Sequence, residues 1–208
     1  MSGGIEFALI PLDCPTCGAG IHARGEDVVY YCTACRNGYL LDETDWSLRR
    51  IDTSFVAAAH LQADEYKPFW LLPARVDIID RQASGGGFTG ILRTFLGQDR
   101  VLEDTGEGVF AVPAFRAQLE AVTRLVRRYT EALPELKEKL GERLLGGCYG
   151  RQDAEKLAHY ALIATEVEKP DKLLELKYEI EFGEPRLLGV PFHKKADATF
   201  DAFFNIEV

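Results

Sequence analysis

The chain lacks the features that would take it into a membrane or onto a polyanion. No apolar run approaches the roughly 18 residues that a membrane-spanning helix needs, and residues 1–6 lack the basic segment of a secretory signal. Acidic residues outnumber basic ones by 33 to 24, which gives a net charge of −9. A protein that neutralises nucleic-acid phosphates normally carries a basic face. We therefore expect a cytoplasmic protein without membrane insertion, and the charge argues against DNA or RNA as its partner.

Cysteine is scarce, but its spacing is informative. The chain has five cysteines, and four of them form two CxxC pairs, Cys14/Cys17 and Cys32/Cys35. The 14 residues between the pairs allow all four thiolates to reach one tetrahedral Zn²⁺ ion. The proline and glycine of the first pair favour the tight turn in which backbone N–H groups point at sulfur. The sequence therefore predicts one structural zinc ion, and reduced thiols also fit a reducing cytoplasm.

The residues around the cysteine pairs predict a small sheet. Residues 21–24 and 28–31 look like short strands around a turn at 25–27, and 39–41 can add a third strand. With a knuckle CPTCG, a hairpin, a knuckle CTAC and a strand, residues 10–50 resemble the zinc-ribbon family. The resemblance implies a closed zinc site whose ligands are the cysteines of both pairs. It implies no single function, because ribbons bind nucleic acid, bind proteins or only stabilise a domain.

Two details of this segment bear on the metal and the partner. Arg36 follows the second pair where many such sites have glycine, which weakens the rubredoxin-like alternative but leaves zinc and iron both open. His22 lies in the predicted hairpin and is expected to be only a neighbour, since four cysteines complete the shell. Residues 1–50 hold seven acidic and four basic side chains, a net charge of −3. Four thiolates on Zn²⁺ add about −2.

The rest of the chain predicts one larger domain. We expect an α+β fold in which a three-stranded ribbon, residues 1–51, is attached to a mixed or antiparallel sheet domain, residues 52–208, with about three helices. Strands are expected at 74–78, within 90–102, at 109–112, 176–182, 186–192 and 199–208, with a turn at 105–108. Helices are expected from Pro113, after Pro134, and over 154–167 behind Asp153 as a cap. The last is apolar around most of its circumference and is expected to lie centrally.

Two motifs in the larger domain could carry chemistry. The segment from Gly85 to Gly90 matches GxGxxG, but no βαβ pattern follows, so a loop between strands is expected. Cys148 is the fifth cysteine. As a nucleophile it would need a base such as His159 or His193, and no hydrolase signature surrounds it. A small buried side chain is the simpler interpretation.

The predicted helix over 154–167 also carries polar residues at helical spacing. Glu155, His159 and Glu166 fall on one face and could seed a second metal site, but no paired metal motif accompanies them. A solvated stripe of the helix is the simpler interpretation.

A cluster of four arginines precedes these residues in the sequence. Arg116, Arg124, Arg127 and Arg128 lie off the apolar stripe of their predicted helix. This face could be merely solvated, or it could bind an acidic partner or a second copy of the chain.

These observations favour a non-enzymatic adaptor or assembly protein that holds a structural zinc ion. The reasons are the closed metal site, the acidic chain and the lack of a convergent catalytic set. An enzyme with its site in the larger domain and a nucleic-acid-binding ribbon are the alternatives.

Overall fold

The computed structural model describes residues 12–42, 44–57, 63–84, 105–138, 143–169 and 172–208. In these residues the chain forms two β-sheets and two α-helices. The smaller sheet is antiparallel, in the order β1-β2-β3, with strands β1 (Val29–Cys32), β2 (Asn37–Asp42) and β3 (Ser47–Ile51). The larger, mixed sheet has seven strands: β4 (Thr53–Val56), β5 (Glu65–Ser84), β6 (Thr105–Pro113), β7 (Leu136–Glu138), β8 (Lys172–Phe182), β9 (Arg186–Lys195) and β10 (Ala198–Asp201). The helices are α1 (Leu119–Glu131) and α2 (Arg151–Val167).

The predicted α+β class is therefore confirmed. The strand predicted at 176–182 lies within β8, and the one at 186–192 lies within β9. None of the described helices is long and apolar enough to cross a membrane.

Strand β5 organises the larger sheet. Its 20 residues pair antiparallel with β6 along one edge, and with β9 and then β8 along the other. Residues 68–74 of β5 are all apolar, and Phe69, Trp70 and Leu71 are fully buried. Trp70 packs in a cluster with α2, whereas Phe69 and Leu71 pack in a second cluster with α1 and β9. Because successive side chains of a strand point to opposite faces, this part of β5 is covered on both sides.

Helix α1 begins later than its proline suggests. Pro113 is the last residue of β6, where it pairs with Phe69, and the N–H of Ala114 donates to the carbonyl of Pro68 at 2.9 Å. The chain is therefore still part of the sheet at the predicted helix start, and α1 begins only after Gln118. The buried residues of α1 follow the helical period; they are Ala121, Val122, Leu125, Val126 and Tyr129.

Helix α2 is buried on one side rather than surrounded by the core. Its buried residues are mostly small, which lets the helix lie close to the sheet; they are Ala154, Ala158, Ala161, Leu162 and Glu166. On the opposite side Tyr160, Ile163 and Val167 are exposed, so the predicted central position is wrong. The N-cap residue is Gly150 instead of Asp153.

The smaller sheet is covered on both faces. On β1, Tyr30 and Cys32 pack on the side of the cysteine pairs, whereas Val29 and Tyr31 pack against the larger sheet. Tyr31 meets Phe55 of β4 edge to face, with ring centroids 5.6 Å apart. The alternation of side chains along a strand thus gives one face to the cysteines and the other to the body of the protein.

Residues 144–150, which we call the connecting segment, join the two sheets by backbone hydrogen bonds. On one side, Gly147 exchanges N–H···O bonds of 2.9 and 3.0 Å with Val29 of β1. On the other, the N–H of Leu145 donates to the carbonyl of Tyr66 at 2.9 Å, and the N–H of Tyr149 donates to that of Ala114 at 3.0 Å. The connecting segment therefore extends the smaller sheet and anchors it to the larger one.

Several predicted elements are wrong, mostly where pairing with a distant strand overrides the local pattern. Residues 21–24 form no strand, because the hairpin partner of β1 is β2. The helix predicted after Pro134 is replaced at 136–138 by β7, which pairs with β4. The predicted turn at 105–108 is part of β6, and the last predicted strand, 199–208, ends at Asp201. The predicted strands within 90–102 and the loop from Gly85 to Gly90 lie outside the described residues.

Gly189 offers a direct test of how tightly this fold is packed. A Cβ atom at this position of β9 would lie 2.6 Å from Cε1 of Phe55, a ring that is fully buried and cannot move aside. We expect Gly189→Ala to lower the free energy of unfolding by about 1–3 kcal/mol, as overpacked cores do, measured by denaturant titration. Gly25→Ala is the matched control, because no heavy atom lies within 4 Å of its Cβ position. Equal stability of the two variants would contradict this packing.

Candidate metal centre

Two turns with the same backbone geometry present the four cysteines. In each, the carbonyl of the first cysteine accepts a hydrogen bond from the N–H four residues later: Gly18 to Cys14 at 2.8 Å, and Arg36 to Cys32 at 2.7 Å. The donor residue has a left-handed backbone in both turns, with φ of 71° at Gly18 and 58° at Arg36. The second turn connects β1 to β2. The strand pairing therefore fixes the orientation of the second cysteine pair.

The four sulfur atoms have the spacing of a tetrahedral thiolate site. The Sγ atoms of Cys14 and Cys35 are 3.5 Å apart, those of Cys17 and Cys32 are 3.7 Å apart, and all four lie within 4.8 Å of one another. In a tetrahedral site with Zn–S bonds of about 2.3 Å, neighbouring sulfurs are about 3.8 Å apart. A disulfide would need about 2.05 Å. The four residues therefore form a cluster that can hold one metal ion.

Polar groups around the cluster are directed at the sulfurs. The hydroxyl of Tyr39 lies 3.0 Å from Sγ of Cys14 and 2.7 Å from Oγ1 of Thr16. The Nδ2 group of Asn37 donates to Sγ of Cys35 at 3.2 Å. Tyr39 is fully buried and Asn37 is nearly so. Hydrogen bonds of this kind orient metal-binding thiolates and offset their charge.

The sulfurs cannot all ionise without a cation. Burial raises the pKa of the Cys14 thiol, but hydrogen bonds from Tyr39 and from the backbone of Thr16 and Cys17 lower it to about 6. The backbone of Ala19 lowers the pKa of Cys17, but burial and the neighbouring cysteines raise it to about 12. Four thiolates in one cluster repel one another, so the later ones form only when a positive ion compensates them.

The cysteines are the one group of three or more potential metal ligands that the described residues bring together. His22 is exposed and does not belong to this group. Glu155 pairs with Arg151 at 2.7 Å, and the ring of His159 packs against Tyr178.

Glu166 corrects the expectation of a solvated stripe on α2. It is fully buried, and its carboxylate accepts a hydrogen bond of 3.0 Å from Nε of Arg81. Lys169 forms a second ion pair with the same carboxylate. These two cations make its burial tolerable, because a buried carboxylate needs a charged partner. Glu166 therefore ties α2 to β5.

Cys148 lies in the connecting segment without the predicted bases beside it. It is half-buried and lines two surface cavities, and neither His159 nor His193 lines either of them. The ring of His193 stacks instead on Phe200, with centroids 5.8 Å apart. One of these cavities, of about 170 Å³, also contains Lys67, whose pKa is lowered by burial.

The predicted arginine face is only partly free. Arg116 precedes α1 and pairs with Glu26, which precedes β1, at 2.9 Å, and Arg127 pairs with Glu168. Arg124 and Arg128 are exposed, one turn apart on α1, and neither forms an ion pair with any described residue. The exposed part of this face is therefore the pair Arg124 and Arg128.

Comparison with known proteins gives no identification: no family model, curated protein or solved structure matches this chain. The function must therefore be inferred from geometry. Sequence reasoning missed Tyr39 and Asn37, although strand alternation offered a signal. Within β2 these two residues are two apart, so they share a face, and Asn37 lies two residues after Cys35.

Tyr39→Phe tests the hydrogen bond to the cysteines. Removing the hydroxyl removes the 3.0 Å hydrogen bond between Tyr39 and Sγ of Cys14, so we expect metal affinity to fall about tenfold, the lower end of the range for such outer-shell changes. Competition with a coloured chelator measures this affinity.

Tyr129→Phe is the matched control, because Tyr129 is also fully buried and donates from its hydroxyl to Asp201 at 2.8 Å, away from the cysteines. It should lower the free energy of unfolding by about 1–2 kcal/mol and leave metal affinity unchanged. Equal metal affinity in the Tyr39→Phe variant and the unmodified chain would contradict the role given to Tyr39.

Proposed function

We propose that Cys14, Cys17, Cys32 and Cys35 bind one structural Zn²⁺ ion in a zinc ribbon, and that the protein is a non-enzymatic adaptor or assembly factor. The spacing of the four Sγ atoms is the observation that carries the proposal. Zinc fits because it prefers four thiolates in a closed tetrahedral site. Iron is the competing metal, since it accepts the same ligands.

A structural role for the metal is supported by where the cluster lies. Cys14 comes from the chain before β1, whereas Cys32 is the last residue of β1, and a metal ion would join these two segments. The face of β1 opposite the cysteines packs against the larger sheet. All four coordination positions would be occupied by protein sulfur. This leaves none for a catalytic water.

The adaptor role is supported by the surface of the larger domain. In a chain of net charge −9, Arg124 and Arg128 form an exposed basic pair on α1. Guanidinium groups suit acidic side chains of another protein, because they can form two parallel hydrogen bonds with one carboxylate. The proposed partner is therefore an acidic protein surface, which a second copy of this chain also offers.

The enzyme alternative has less support. Neither of the two cavities described above that Cys148 lines contains a histidine. A thiol nucleophile needs an adjacent base or a lowered pKa.

Metal removal tests the structural half of the proposal. Purified protein should contain one zinc ion per chain, and iron in its place would overturn the assignment of the metal. Removal by a strong chelator should raise the hydrogen-exchange rates of the amides of β1, β2 and β3 by about tenfold or more, since binding energy of such ions is largely folding energy. The amides of β5 serve as the internal control. Unchanged exchange in β1–β3 after complete metal loss would overturn the structural role.

Charge reversal tests the adaptor half. Tagged protein is used to isolate partners from native lysate of its source cells, and its self-association is measured by sedimentation. A stoichiometric partner or dimer should be lost in the double variant Arg124→Glu, Arg128→Glu. The double variant Lys172→Glu, Lys195→Glu has the same change of charge at two other exposed positions and should retain it. Absence of any stoichiometric complex, or equal loss in both variants, would contradict the adaptor role.

A further inference from the structure

A polar cavity lies where the smaller sheet meets the larger one. Its volume is about 300 Å³, the lower end of the range for small-molecule sites. It forms because β3 ends at Ile51 and β4 begins at Thr53, so the chain passes directly from one sheet to the other. Gly38 of β2 allows this approach, since a Cβ atom there would lie only 3.1 Å from Cδ1 of Leu187.

Three arginines from distant parts of the sequence line this cavity: Arg36 from the second cysteine turn, Arg50 from β3 and Arg186 from the start of β9. Asp52 is the single acidic residue of the lining. Among the salt bridges of the described residues, none involves any of these three guanidinium groups. Ser54 also lines the cavity. The cavity thus holds a local excess of positive charge in an acidic protein.

The backbone of Arg36 gives a second, independent reason to look at this cavity. Arg36 has φ of 58°, whereas the equivalent position of the first turn is occupied by Gly18. A left-handed backbone favours glycine, and an arginine there is strained. A non-glycine residue with a left-handed backbone indicates a function when its side chain faces a site. At this position the chain has an arginine that faces the cavity.

We propose that this cavity binds the phosphate group of a small molecule. Three arginines can donate to several oxygens of one tetrahedral dianion at once, whereas a planar carboxylate offers only two oxygens. Ser54 lines the same cavity, and its hydroxyl can serve as a further donor. The remaining volume accommodates the rest of the ligand. This inference is independent of the adaptor role.

Arg36 could have a different role, which the experiment must distinguish from phosphate binding. Arg36 directly follows Cys35, so its charge could serve only to compensate metal-bound thiolates. That explanation accounts for neither Arg50 nor Arg186. It also makes the opposite prediction for Arg36→Gly, which would then weaken metal binding and leave anion binding unchanged.

The test is a titration of the metal-loaded full chain with inorganic phosphate at constant ionic strength, followed by NMR of the arginine Nε–H groups. The signals of Arg36, Arg50 and Arg186 should shift together and saturate with one dissociation constant. Each of Arg50→Gln and Arg186→Gln should weaken binding by about tenfold, the loss of one charge-assisted contact. Arg143→Gln, at an exposed position outside the cavity, should leave it unchanged.

A third variant, Arg36→Gly, removes one arginine of the cavity and is expected to fold normally. Glycine suits the left-handed backbone, so this variant should keep its metal and its melting temperature while phosphate binding weakens by about tenfold. The proposal is overturned if the three signals do not saturate together, or if the Arg143→Gln control weakens binding equally. It is also overturned if acetate binds as tightly as phosphate, or if Arg36→Gly loses metal but keeps phosphate binding.

Discussion

The close approach of backbones between the two sheets is the constraint on which the rest of this structure depends. Gly147 lies between β1 and the larger sheet, and a Cβ atom there would come within 2.7 Å of the carbonyl oxygen of Ala114. At the other end of the contact, Gly38 allows β2 to lie against Leu187. Because the backbones meet without side chains between them, the connecting segment can hydrogen-bond to both sheets.

This contact changes how the cysteine cluster is understood. A segment of about 40 residues has too little core to be stable alone, and here it has a core on each face. One face packs around the cysteines and the other against the larger sheet. A metal ion would hold the first face together, and the glycine contacts hold the second. The same junction brings Arg36 and Arg50 beside Arg186, which is 136 positions after Arg50 in the numbering.

The parts of the structure that could be predicted are those whose residues follow a regular spacing over a short stretch of the sequence. The cysteine pairs identify their own cluster, and the alternation of Leu176, Tyr178 and Ile180 identifies β8. Features that depend on contacts between residues far apart in the sequence could not be predicted. The segment after Pro134 becomes a strand because β4 offers it an edge. Glu166 is buried because Arg81, 85 positions away, neutralises it. The three-arginine cavity has no local signal, since its members come from three separate elements.

The central claim is that four cysteine sulfurs of one chain coordinate one zinc ion. X-ray absorption spectroscopy at the zinc edge of the purified protein tests it most directly. The account predicts a single shell of four sulfur atoms at about 2.3 Å. A shell that includes nitrogen or oxygen would contradict it, as would a metal-free protein whose cysteines are joined by disulfides.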